Sequence, residues 1–192
     1  GGWVEPSGTD VLIMSGSGSA SADLGIGGTW LLDPFDVTIN GSYTTGGAFA
    51  GGTFTPTADS ATILNTSINT LLNGNTSVII TTGSNGTQNG DITVSAPITW
   101  TTAASLTLTA NRNIVLTAGN AITNTTDSSA GLNLIANNAG AFDIGSGLGI
   151  VTQPANTINL SGKVKIYYNP TNYTTPVTYT NVNAAGVTAY MY

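Results

Sequence analysis

The sequence predicts an all-β fold: a parallel β-helix whose coils carry three strands over about 26 residues, wound into a single solenoid domain. Three observations predict it. Short apolar-x-apolar units recur along the 192 residues, turn formers separate them, and the units repeat in three interleaved series.

The units are Val37/Ile39, Val78/Ile80, Ile92/Val94, Leu106/Leu108, Ile114/Leu116, Leu132/Leu134, Ile158/Leu160 and Val164/Ile166. Alternation puts one face of each strand inward and the other in water. Between them lie clusters such as Gly83-Ser84-Asn85-Gly86 and Asn89-Gly90-Asp91, whose residues tolerate turns. Val78, Leu106, Leu132 and Ile158 form one series, Ile92, Ile114, Phe142 and Val164 a second, and Ile98, Ile122 and Leu148 a third. Their steps of 22 to 28 residues suit coils stacked in parallel at roughly 4.8 Å, with neighbours templating each other. Asn85, Asn111 and Asn137, spaced by 26, are expected to form a side-chain amide ladder at one corner. Ala61 to Leu72 instead fits a 3-4 spacing, which predicts at most a short helix or irregular turn, capped by Asp59 or Ser60 and ended by Gly74. The expected organisation is a solenoid over 1-166 with an excursion near 41-74, and a Tyr/Thr-rich tail over 167-192 packing on it or capping it.

Composition removes whole classes of function. Nine acids against Arg112, Lys163 and Lys165 give a formal charge of -6, so no basic surface can follow a phosphate backbone, and nucleic acid is not an expected partner. No apolar run is long enough to cross a bilayer as a helix, so membrane insertion is not expected either. Without cysteine or histidine there are no thiolate or imidazole metal sites, disulfides or Ser-His-Asp systems. The repeated glycine-aspartate nonapeptide of calcium-binding β-rolls is missing, and Gly25-Ile26-Gly27-Gly28 lacks the strand and helix of a dinucleotide loop. No cofactor, metal or catalytic residue is assigned.

The acids are Glu5, Asp10, Asp23, Asp33, Asp36, Asp59, Asp91, Asp127 and Asp143, of which Asp33 and Asp36 are the closest pair. Around Pro34 and before the Val37 strand they are expected to cap turns, as is Asp91 after Asn89-Gly90. Several Asn-x-Ser/Thr triplets, including those at Asn40, Asn65, Asn75, Asn85, Asn124 and Asn172, are expected by chance in so Asn- and Thr-rich a chain. Tyr167, Tyr168, Tyr173, Tyr179, Tyr190 and Tyr192 are expected to pack against the flank, with carbohydrate stacking or a protein contact as the alternative. A crystal-surface binder needs a continuous outward threonine file. The alignment above gives Ile79, Thr107, Asn133, Asn159 on one face and Thr93, Val115, Asp143, Lys165 on the next, which speaks against it.

Gly1-Gly2-Trp3-Val4-Glu5-Pro6-Ser7-Gly8, then Asp10-Val11-Leu12-Ile13 and Gly28-Thr29-Trp30-Leu31-Leu32-Asp33-Pro34-Phe35-Asp36-Val37-Thr38-Ile39, resemble a segment of filamentous-haemagglutinin-like exoproteins, the group that includes the high-molecular-weight adhesins of Gram-negative bacteria. The block from Ala61 through Leu72-Asn73-Gly74 and Val78 to Thr82, Gly90 to Val94 and Leu106 to Ala110 is similar to the same family. The resemblance implies a right-handed parallel β-helix, exported by two-partner secretion and found outside the cell or on its surface as an adhesin shaft. The family's secretion domain carries Asn-Pro-Asn-Leu and Asn-Pro-Asn-Gly motifs, whereas this chain offers only Asn169-Pro170-Thr171-Asn172, so a downstream shaft segment is expected. Its expected partner is a receptor or glycan on a host or neighbouring cell. Two other classes compete: a subunit assembling end to end into an extracellular filament, and a polysaccharide-active enzyme.

Overall fold

A computed structural model describes residues 34–191 and the strand pairs β1 (Trp3–Val4) and β2 (Thr29–Trp30), which run parallel with Trp3 opposite Thr29. From there the chain forms β3 (Val37–Asn40), β4 (Gly47–Ala50), β5 (Thr53–Pro56), β6 (Ala61–Leu64) and helix α1 (Asn65–Asn73). Next come β7 (Val78–Thr81), β8 (Ile92–Val94), β9 (Ile98–Thr99), β10 (Ser105–Thr109), β11 (Ile114–Leu116) and β12 (Ile122–Asn124). The last are β13 (Gly131–Ile135), β14 (Val151–Thr152), β15 (Ile158–Leu160), β16 (Lys163–Tyr168) and β17 (Gly186–Met191).

Beyond β1 and β2, these strands make three sheets. The first has the order β17-β16-β13-β10-β7-β5-β4, the second β14-β11-β8-β3-β6 and the third β15-β12-β9. All pairings are parallel except β4 with β5, which is antiparallel. The expected all-β fold, a right-handed parallel β-helix of three-strand coils about 26 residues long, is therefore corrected. The protein is mixed α/β, with three mostly parallel sheets and one short helix.

The strand alignment also differs from the sequence expectation after Leu132. Val78, Leu106 and Leu132 do lie side by side, but the next partner of Leu132 is Val164, not Ile158. Ile158 pairs with Ile122, and Ile114 pairs with Val151 rather than Phe142. The cause is local. Gly145, Gly147 and Gly149 have φ of +77°, +74° and +73°, a left-handed backbone that no strand can hold, so Phe142 and Leu148 lie in a loop. That loop lengthens the step from Ile114 to Val151 to 37 residues, where Ile92 to Ile114 takes 22.

Inward positions form one aliphatic core. Ile39, Ile63, Ile80, Ile92, Leu106, Leu108, Ile122, Leu132 and Ile166 are fully buried, each removing apolar surface from water at about 25 cal/mol per Å². Trp100 joins them because its indole Nε1–H donates to the Ala104 carbonyl at 2.8 Å, so no polar atom is stranded.

Helix α1 begins at Asn65, beyond the expected caps Asp59 and Ser60, directly from the extended Leu64 and with no side-chain cap. Gly74 closes it with its N–H on the Thr70 carbonyl at φ -77°, and Asn75, φ +58°, takes the left-handed turn. Ile68 and Leu72, four apart, bury one face. Asn65, Asn69 and Asn73 mark a second line at the same spacing. Asn65 Nδ2 donates to Pro97 O (2.6 Å), Thr99 N–H donates to Asn69 Oδ1 (3.1 Å) and Thr101 N–H donates to Asn73 Oδ1 (3.0 Å). Four helical residues advance about 6.0 Å and two strand residues about 6.6 Å, so side-chain amides four apart meet alternate backbone groups of the strand. The helix thus takes the place of a further strand on the β9 edge.

The same end closes the other sheets differently. Thr45 and Thr62 exchange backbone bonds of 3.0 and 2.9 Å across the outer edge of β6, where Leu64 N–H also donates to Thr44 Oγ1. The antiparallel β4 ends the first sheet. At its far end β17 is outermost, with Val187 and Met191 each 37% exposed. Replacing Asn69 or Asn73 with alanine should cost about 0.5–1 kcal/mol each, the net value of an exposed hydrogen bond to the strand edge. Urea denaturation reads this directly, and unchanged midpoints would contradict the strand-substitute role.

Candidate functional site

The residues before successive strands of the second sheet form an axial relay. Asp91 N–H donates to Asp36 Oδ1 (2.8 Å), Asn113 N–H to Asp91 Oδ1 (3.0 Å), and Gly149 and Ile150 N–H to Asn113 Oδ1 (2.9 and 3.1 Å). Gln88 Oε1 extends it by accepting from Asp36 N–H and Ser60 N–H. Arg112 grips Asp91 bidentately, with Nε to Oδ1 at 2.8 Å and Nη2 to Oδ2 at 2.6 Å, and the bond to Asp91 raises the guanidinium pKa further. Each acceptor satisfies a backbone donor where the chain turns into a strand, which supports the turn-capping reading of Asp36 and Asp91.

The expected ladder of Asn85, Asn111 and Asn137 is not formed. Asn85 is exposed, Asn111 donates its backbone N–H to Thr82 Oγ1, and Asn137 exchanges side-chain bonds with the backbone of Phe142. The corner relay uses Asp36, Asp91 and Asn113 instead. Of the remaining acids, Asp59 accepts from the Thr87 backbone and hydroxyl, and Asp127 accepts from Ser129 N–H. Glu5, Asp10, Asp23 and Asp33 lie outside the described residues, as does Tyr192. Among the described residues no group of three or more acids gathers as a metal site would require.

The Asn-x-Ser/Thr triplets separate by burial. Asn65 and Asn124 are buried, with amide nitrogens donating to Pro97 O and Thr102 O, and have no room for a sugar. Asn40 and Asn172 hold turns through Oδ1, while Asn75 and Asn85 are exposed. The threonine expectation also changes. The outward file of the second sheet runs Thr62, Thr38, Thr93, Val115, Thr152. Lattice matching needs a second regular file, and the neighbouring position holds Asn40 beside Leu64.

The loop between β13 and β14 builds a concave feature on the surface. It leaves the sheets at Asn137, φ +53°, and returns at Gly149 between the Asn137 and Asn169 side chains; a Cβ on Gly149 would lie 2.6 Å from Asn137 Cβ and 3.0 Å from Asn169 Cβ. Asn169, 4% exposed, pins the loop by donating Nδ2 to Asp143 O (2.7 Å), Leu148 O (3.0 Å) and Ser146 Oγ (3.4 Å). The result is an open cleft of about 590 Å³ lined by Asn137, Phe142, Asp143, Ile144, Asn169 and Tyr173. Tyr173 is 58% exposed, whereas Tyr167 stacks on Tyr190 at 4.5 Å and the buried Tyr168 meets Tyr179 edge-on, its hydroxyl accepting from Val177 N–H. The alternating glycines 145, 147 and 149 were the one local sign of this loop.

Comparison with known protein families, curated proteins and solved structures gives no match to the chain. The resemblance to filamentous-haemagglutinin-like exoproteins therefore rests on the quoted segments alone.

Replacing Asp91 with alanine removes the acceptor of Asn113 N–H and strands the Arg112 charge, which should cost about 2–4 kcal/mol. Arg112→Met leaves the backbone relay intact and should cost about half as much. Thermal denaturation of both variants checks the order, and a larger loss in Arg112→Met would contradict the relay.

Proposed function

We propose that the chain is a rigid, non-catalytic segment of an adhesin-type bacterial exoprotein, holding attachment surfaces outside the cell or on its surface. The observation that carries this reading is the unbroken hydrogen-bonded register of the first sheet from β5 to β17, with aliphatic side chains aligned beneath it. Such a ladder has no hinge along that sheet, because bending it breaks pairing and packing together. Asp36 and Asp91 are spent on backbone donors, which leaves no free paired carboxylates there for glycoside hydrolysis.

End-to-end filament growth is the competing reading, and the ends bear on it. Among the described residues one end is closed by α1, the Thr45 bridge and β4, while the other presents β17. Head-to-tail stacking needs complementary ends. A receptor or glycan on a host or neighbouring cell remains the proposed partner.

Bacteria carrying the chain on an inert outer-membrane anchor should attach to epithelial or bacterial cell layers several-fold better than bacteria with the anchor alone. Electron microscopy of the purified chain should give dispersed particles. Equal attachment, fibres, or product release from a panel of acidic and neutral polysaccharides would each count against the reading.

A further inference from the structure

We propose that the cleft between Phe142, Asp143, Asn169 and Tyr173 is a binding site for a neutral saccharide. This deepens the attachment reading and rests on it only for where such a ligand would be met.

The first argument is the state of Asn169. Its side chain is 4% exposed and its Nδ2 is wholly committed to the loop, which fixes the amide orientation. Its Oδ1 takes no bond from the protein, yet no sealed polar side-chain atom lacks a partner among the described residues. That oxygen therefore keeps solvent exposure, on a residue that lines the cleft. A held acceptor without an internal donor suits a ligand that brings one.

The second argument is the chemistry around it. The exposed Asp143 carboxylate accepts no bond, and Tyr173 presents a ring and a hydroxyl with no partner in the protein. Two acceptors beside exposed aromatic surface match a sugar ring, which offers several hydroxyl donors on its edge and an apolar C–H face for stacking. The volume of about 590 Å³ falls in the range of small-molecule sites.

Charge selects among sugars. No lining residue is basic, Asp143 is acidic, and the whole chain carries -6. Sialylated, uronic or sulfated sugars would be repelled without a compensating cation.

The test is titration of the purified, isotopically labelled chain with glucose, galactose, mannose, N-acetylglucosamine and lactose, followed by backbone amide shifts. At least one should move amides over 137–149 and 169–173 in a saturable way. Tyr173→Ala and Asp143→Ala should each weaken that binding about tenfold with unchanged melting temperature, since both side chains are exposed. Asn169→Asp keeps an acceptor while disturbing the loop, and should lose binding together with the cleft's chemical shifts.

Saturable shifts elsewhere, no shifts with any of the five sugars, undiminished binding by Tyr173→Ala, or preference for sialyllactose over lactose would overturn the site. Because the readout is binding by the chain alone, its failure leaves the attachment assay free to succeed. Failed attachment with intact saccharide binding would remove the adhesive reading and keep the site.

Discussion

Parallel pairing makes each strand depend on two neighbours for its backbone hydrogen bonds, so a stack of such strands is only as satisfied as its outermost members. Much of the molecule follows from that. The interior solves the problem by repetition: Val78, Leu106, Leu132 and Val164 lie in one line, their backbones bonded to each other and their side chains dry. Repetition cannot solve the edges. There the chain changes geometry, using a helix with asparagines every four residues, an antiparallel Thr45 bridge and an antiparallel hairpin.

The same constraint explains where the polar residues went. With so few charges, the chain spends Asp36, Asp91 and Asn113 on backbone donors at one corner, and uses Arg112 to neutralise Asp91. Side chains committed to architecture are poor candidates for chemistry. Those left uncommitted at the loop before β14, Asp143, Tyr173 and Asn169 Oδ1, gather in one place because Gly149 lets the chain return between two asparagines.

How much of this was legible in the sequence depends on which period each element obeys. Alternation at Leu106/Leu108 and Leu132/Leu134 is strong, and the interval between them is undisturbed, so strand and alignment could both be read. Past Asn137 the reading fails because a constant interval was assumed across a loop of variable length, which put Ile158 in the first series, where Val164 belongs, and Val164 in the second, where Val151 belongs. Helix α1 was visible through Ile68 and Leu72. Its amide line was not, because asparagine is common in the chain and the bonds reach about 30 residues ahead, to Pro97, Thr99 and Thr101. Asn169 belongs to the cleft through partners 21 to 26 residues away, which no local pattern encodes.

The most direct measurement of the account uses the chain's lack of cysteine, which makes any introduced pair unambiguous. In the structure Asn133 lies beside Lys165 in the first sheet, while Asn159 lies in the third. Adjacent parallel strands are about 4.8 Å apart, within reach of a disulfide. The double variant Asn133→Cys/Lys165→Cys should therefore crosslink under mild oxidation, and Asn133→Cys/Asn159→Cys should stay reduced. Crosslinking of the second pair and not the first would show that the strands stack in a different register, and the account would fall with it.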